Sequence, residues 1–321
     1  MHIDFAMTDV SVAFQNGAFV AEEVFPTVPS DYQSNDYWQY GMEKFRRRVD
    51  NRAPGTRPTE AGWSAAAKKF YCEGHALRGV YPWEMQPAGA GSGGADPTFD
   101  LDVDVTENTT DQVLLAQECN LVDAVKASCP IVDLSLNGGE NQLDNPNFDW
   151  IAFMDRQKET VAKSIGKTPN TLVMGRPAFR AGRNNPQALK HIYGTTVLAP
   201  EQMIGAQQLA QKLEIERVLI AEAMYDTANE GSTAALDYIW GDLALLCYVA
   251  PKPGRRQVSL GYHFLWTVGN QGRIVEKWYD QDTKRYVIDV HKYYAQQMIA
   301  SGAGLLFTNT SSADAGGEAG A

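Results

Sequence analysis

Residues that do covalent or metal chemistry are few in this chain, and they are scattered. Cysteine occurs four times in 321 residues, at Cys72, Cys119, Cys129 and Cys247, and never as Cys-x-x-Cys. That spacing excludes a thiolate zinc site and reads as reduced, mostly buried thiols. His2, His75, His191, His263 and His291 each lack a second His, a Cys or a carboxylate at the spacing of a helical metal site. His263 and His291 fall in strand-like runs, as satisfied core or surface residues. There is no Gly-x-Ser-x-Gly elbow. The glycine-rich stretch 89–94 has prolines before and after it and no Lys-Ser/Thr ending, so it reads as a linker and not as a phosphate loop. Asp100, Asp102 and Asp104 alternate without the glycine and final glutamate of a calcium loop, and read as a solvated acidic face. No catalytic residue, metal ligand or cofactor is assigned.

Long apolar runs are missing as well. The longest, residues 243–250, is far shorter than the ~20 residues a membrane span requires. The start, Met-His-Ile-Asp-Phe, carries no secretory signal, and no membrane partner is expected. A positive balance is absent too. With 28 basic and 39 acidic residues the formal charge is −11, which excludes a broad nucleic-acid footprint. Hydrophobic residues make up 44%, enough for a folded chain with a real core.

What is present is unusual at the front. Residues 1–36 give few helix or strand signals, yet they hold Phe19, Val20, Val24 and Phe25 before Pro26 and Pro29. Each proline fixes its own φ and biases the residue before it toward extended geometry. An extended segment must lay its apolar side chains on another surface, of its own body or of a neighbour. Next come Tyr37, Trp38, Tyr40, Met42 and Phe45, then Arg46, Arg47 and Arg48. A turn-rich stretch, 51–62, contains Pro54-Gly55, and Trp63 to Tyr71 returns. The pattern predicts a long β-hairpin, which is marginal alone in water. Residues 1–71 thus hold too little core to order themselves, and are expected to become ordered on sister chains.

The remainder is conventional. A helix is predicted over 106–126, capped by Thr106 or Asn108, with Val113, Leu114, Leu121, Val122 and Val125 on one side. Further helices are expected over 149–165, 177–183 and 201–213, and one starting at Asn185-Pro186. Strands are expected over 171–174, 217–223, 242–249, 262–267 and 274–278, with 285–294 the last. Residues 311–321 read as a disordered tail. The mixture indicates an α+β domain, with a mixed α/β arrangement as the alternative.

Several stretches resemble, in order, the major capsid proteins of tailed bacteriophages with the Hong Kong 97-type fold. They are Phe19-Val20-Ala21-Glu22-Glu23-Val24-Phe25-Pro26-Thr27-Val28-Pro29; Tyr37 with Tyr40, Phe45-Arg46 and Arg52-Ala53-Pro54-Gly55-Thr56; and Pro169-Asn170-Thr171-Leu172-Val173-Met174-Gly175 with Phe179 and Asn185-Pro186. Arg217 to Ala223, Tyr225-Asp226-Thr227-Ala228, Trp240 to Tyr248, Pro251 to Gly254 and Gly261 to Trp266 continue the likeness, whereas 128–147 matches nothing.

The resemblance implies an L-shaped subunit: N-terminal arm 1–36, E-loop hairpin 37–76, peripheral domain with spine helix 77–160, axial domain 161–268, a return to the peripheral domain 269–310, and a flexible tail 311–321. It implies a non-enzymatic subunit forming hexamers and pentamers of an icosahedral shell around double-stranded DNA, which it encloses without specific binding. Assembly would take place in the host cytoplasm, and the product would be the virion capsid. With no long extension before the arm, scaffolding is expected as a separate protein or absent, and portal and decoration proteins are expected partners. The interface residues expected are Phe19, Val24, Phe25 and Pro26 on the arm, with Tyr37, Trp38, Phe45, Arg46, Arg47, Arg48, Pro54 and Gly55 on the hairpin. Apolar area buried there is worth about 25 cal/mol per Å², and the arginines are expected in intersubunit ion pairs. The alternatives are an encapsulin-like shell around protein cargo and a soluble α/β enzyme with its site in 150–270.

Overall fold

The computed structural model describes residues 19–48, 50–85, 101–136, 138–194, 204–229, 231–233, 235–254, 257–267 and 272–312. The stretch 89–94, residues 1–18 of the arm and the tail from 313 onward lie outside them. A single helical turn, α1 (Ala21–Val24), leads into β1 (Thr27–Ser30), whose extended path follows from Pro26 and Pro29. The hairpin comes next, β2 (Ser34–Tyr40) antiparallel to β3 (Ala65–Tyr71), and then β4 (Glu73–Pro82). The long helix α2 (Leu101–Ser128) is followed by β5 (Ile131–Asp133), α3 (Trp150–Ile165), β6 (Thr171–Gly175), α4 (Arg176–Asn184), α5 (Pro186–Tyr193), α6 (Ala206–Lys212) and β7 (Arg217–Ala221). A small hairpin, β8 (Met224–Asp226) with β9 (Leu236–Tyr238), precedes β10 (Ala244–Cys247), β11 (Gly261–Trp266), β12 (Ile274–Asp280), β13 (Arg285–Met298) and β14 (Gly304–Thr308).

Apart from the two hairpins, the strands form two five-stranded sheets. In the first, β13 is central. Along one edge it pairs with β4; along the other, its first half pairs with β12 and its second half with β11. β1 adds to β11 in parallel, so the arm becomes part of this sheet. Helix α2 crosses one face, where Tyr81, Val275, Ile288 and Val290 pack with Val113 and, less deeply, with Leu101 and Val105. The second sheet runs β5-β14-β10-β6-β7 and anchors the main core, which includes Leu172, Leu245, Leu306, Trp150, Met154, Phe179 and Trp240.

Two motifs of the sequence turn out to be hydrogen-bond hubs. Asn170 donates to the Val249 carbonyl (2.8 Å) and Glu216 (3.0 Å) and accepts from the Val249 amide (2.9 Å), tying the start of β6 to the end of β10. Asn185 caps α5 through Gln187 N (2.8 Å) and donates to the carbonyls of Leu143, Asn145 and Phe148. That second hub positions much of the 128–147 stretch that matched nothing in sequence, and β5 pairs with β14 to hold the rest.

Several expectations are corrected. Among the described residues the long helix already runs from Leu101, ahead of the expected 106. Thr106 is an interior residue whose hydroxyl donates back to the Asp102 carbonyl (2.6 Å), and neither it nor Asn108 caps the helix. Asp102 is not part of a solvated face: it accepts from Tyr81 Oη and pairs with Lys277. The helix expected over 201–213 is confined among the described residues to Ala206–Lys212. Strand β13 runs to Met298 and is not the last. β14, a five-residue apolar run with no periodicity to betray it, returns the chain to the second sheet. A domain boundary at 160 would also cut α3.

Gly79 lets α2 approach β4, because a side-chain carbon there would overlap Val105 and Thr109. Gly79→Val is expected to lower stability by about 1–3 kcal/mol. It would be read as a shift of the urea midpoint at unchanged slope.

Candidate assembly surface and its anchor

The arm is held by one buried carboxylate. Glu118 lies on the core side of α2, wholly buried. One oxygen accepts from the amides of Val20 (3.1 Å) and Ala21 (2.7 Å), the orphan donors at the start of α1; the other accepts from Trp240 Nε1 (2.6 Å) in the main core. Burial pushes this carboxyl above the usual range, while its three donors pull it back. A second contact lies at the neighbouring residues. Lys292 on β13 is almost fully buried and donates to Glu22 of α1 (2.8 Å) and to Gln117 (2.6 Å). Burial depresses the Lys292 ammonium, and Glu22 opposes that shift. Sequence reasoning missed Glu118 and Lys292. The available signal was the position of Glu118, three and four residues before Leu121 and Val122, on the apolar stripe itself.

These contacts correct two expected interface residues. Val24 and Phe25 are fully buried in the chain's own core, beside Val20 and Ala21, so they offer no surface to a neighbour. The expectation that residues 1–71 cannot order themselves fails for the same reason at residues 20–25. Phe19 is half-buried against that core, and the Pro26 carbonyl accepts from the His263 amide (3.2 Å).

The hairpin is different. Its root is anchored: Phe70 stacks on Phe264 at 4.1 Å, Tyr37 lies 5.8 Å from the same ring, and Gln39 donates to the Ile299 carbonyl (3.1 Å). Beyond the root, large apolar side chains face solvent. Trp38 is 61% exposed, Phe45 55% and Trp63 76%, with Tyr40 and Met42 between them. The Phe45 ring lies against Gly166, the left-handed cap of α3. Arg46 and Arg47 are exposed, and Arg48 donates to the Glu60 carbonyl (2.7 Å), bracing the connection across its width. Pro54 and Gly55 form a turn closed by Thr56 N to Ala53 O (3.2 Å), with Gly55 at φ +83°. The hairpin, 34–71, carries eight basic and four acidic residues in a chain of net charge −11. Exposed aromatics on a cationic loop are a surface suited to an acidic protein face.

His263 departs from the satisfied residue expected. It is fully buried, and neither ring nitrogen has a hydrogen-bond partner among the described residues. Cys72, Cys129 and Cys247 are buried thiols, and burial pushes Cys129 up to about 12.

No family model matches the chain. It is similar to the major capsid protein of Pseudomonas phage JBD67, 26% identical over 250 residues, covering 77% of each chain. It is also similar to the major capsid protein of Burkholderia phage BcepMu, 21% identical, covering 95% of this chain and 96% of that one. Among solved structures, a phage-related protein from Bordetella bronchiseptica RB50 superimposes with a TM-score of 0.72 at 20% identity, over 96% of this chain and 97% of that one. The capsid of cyanophage P-SCSP1u is similar at a TM-score of 0.57 and 7% identity, over 92% of this chain and 89% of that one, and the mature capsid of bacteriophage PhiM1 at 0.53 and 10%, over 92% and 88%.

Glu118→Ala would leave three buried N–H donors without an acceptor. We expect a loss of about 3 kcal/mol or more, read by urea unfolding. Proteolysis within residues 19–30 should become faster than in the wild type.

Proposed function

We infer that this chain, which has the Hong Kong 97-type capsid fold and sequence relatives among phage major capsid proteins, is itself a major capsid protein. Its work is mechanical. Copies associate into hexamers and pentamers that close into an icosahedral shell around double-stranded DNA. The observation that carries the reading is the hairpin, on which Trp38, Phe45 and Trp63 remain largely exposed in the single chain. A subunit of this kind is completed by its neighbours, and closed symmetry makes such contacts self-limiting.

On this reading α2 is the spine helix, the first sheet belongs to the peripheral domain and the second to the axial domain, which shifts β11 out of the expected axial span 161–268, β5 out of the peripheral span 77–160 and β14 out of the return 269–310. Phe19, Pro26, Tyr37, Trp38, Phe45, Arg46, Arg47, Arg48, Pro54 and Gly55 are the proposed contact residues. The arginines serve ion pairs with acidic sister surfaces. The net negative charge lets the shell enclose DNA without binding it specifically, since acidic surface and phosphates repel. Scaffolding, portal and decoration proteins are the proposed further partners, and the host cytoplasm the proposed place of assembly. A cargo shell of the encapsulin kind is not favoured, because the sequence relatives are phage major capsid proteins. Those relatives are structural proteins, not enzymes.

Expressed alone or with its phage partners, the protein should yield closed shells by negative-stain microscopy. Deleting residues 51–62 is expected to leave a subunit with wild-type circular dichroism that forms none. Normal shells from the deletion would overturn the hairpin's role. Reversing Arg46, Arg47 and Arg48 to glutamate should likewise block assembly; loss of DNA retention alone, in normal shells, would instead assign them to nucleic acid.

A further inference from the structure

Under the arm lies a cluster of ionisable groups that the shell reading does not use. β1 pairs with β11 so that Thr27 sits beside His263, and the His263 amide donates to the Pro26 carbonyl. The buried His263 ring lies 4.9 Å from the Tyr294 ring, and His75 from β4 stacks on the same tyrosine at 4.0 Å. Lys292, on the same strand as Tyr294, is held between Glu22 of α1 and Gln117 of α2. Arg273, just before β12, is part-buried within electrostatic reach of both Glu22 and Lys292. Glu22 from the arm thus faces Lys292 and Arg273, next to an imidazole that has no hydrogen-bond partner among the described residues.

We propose that the arm root, α1 and β1, is an acid-sensitive latch: it stays closed while His263 is a neutral ring beneath it, and acid favours its lifting because only the lifted state gives that ring a proton. A proton on the closed ring would add a third cation beside Lys292 and Arg273, without water to solvate it. Lifting residues 19–30 takes β1 from beside β11 and Glu22 from beside the ring.

The sign follows from linkage. Burial, reinforced by Lys292, lowers His263 from 6.5 to about 3. Between those values the lifted state binds one more proton than the closed one. The latch therefore has its full stability above pH 6.5 and loses it as the pH falls toward 3. Burial lowers His75 as well, giving it the same sign. Lys292 holds Glu22 below its ordinary 4.5 despite burial, so Glu22 weakens the latch only at lower pH. Glu118, raised by burial, acts in the opposite sense. Burial lowers Lys292 and Arg273 too, so each acts in the same sense as His263 where it titrates.

The test is amide hydrogen exchange of the full chain at Val24, Phe25 and His263, corrected for intrinsic rates, at pH 7.5 and pH 5. The opening constant of the wild type should rise about thirtyfold over that interval, the ratio set by an exposed imidazole titrating near 6.5. His263→Phe and His263→Gln should abolish the rise, and His75→Phe should retain most of it. A wild type with no rise, a rise that survives in either His263 variant, or one lost only in His75→Phe would each overturn the latch. If neither His263 variant folds, the wild-type ring resonance decides. A ring silent to pH 5 in the closed state supports the proposal, and one titrating near 6.5 with the arm protected refutes it. All of this is read on unassembled chains, so it stands or falls separately from shell formation.

Discussion

Glu118 is the constraint from which the remaining organisation follows. A carboxylate placed in a core is costly unless its oxygens are satisfied, and here three N–H donors from two distant segments converge on it. Two of those donors belong to the arm and one to Trp240 in the main core. The long helix that carries Glu118 also covers the first sheet. A single side chain thereby registers the arm, the first sheet and the main core against one another. That rigidity matters in a shell subunit, since an error in relative placement would be repeated at every interface.

The chain divides its apolar surface in two ways. The arm root spends Val20, Ala21, Val24 and Phe25 on its own core, so that segment is internally complete from residue 20. The hairpin keeps Trp38, Phe45 and Trp63 largely outside, while Phe70 and Tyr37 on Phe264 anchor its root. In the isolated chain that surface is wetted and flanked by arginines, which restrain nonspecific clustering by like-charge repulsion. On the proposed reading, the same charges become attractive once an acidic sister surface approaches.

The hubs at Asn170 and Asn185 explain in physical terms why these residues stand in recognisable motifs. An asparagine offers two donors and an acceptor in one rigid plane, and both side chains use that capacity on backbone groups of other segments. Replacing such a group by a residue of similar size would orphan several buried carbonyls and amides. Sequence resemblance at these positions therefore tracks loop architecture and not chemistry on a substrate, in keeping with the scarcity of nucleophiles and ligands along the chain.

From the sequence alone, local rules decided the two-proline extended arm, the hairpin with its Pro54-Gly55 turn, the helix over 149–165 and the lack of an enzymatic constellation. Each depends on a few neighbouring residues: fixed φ, turn geometry, period and cap. Tertiary structure decided the rest. The early start of α2, the buried roles of Glu118 and Lys292, the strand β14 and the inward turn of Val24 and Phe25 all depend on partners outside any local window, as far as 270 residues away for Lys292 and Glu22. Nothing in a local window distinguishes an apolar side chain that will meet its own core from one that will meet a sister chain. Only the folded chain, by showing which cores are already filled, separates the arm root from the hairpin.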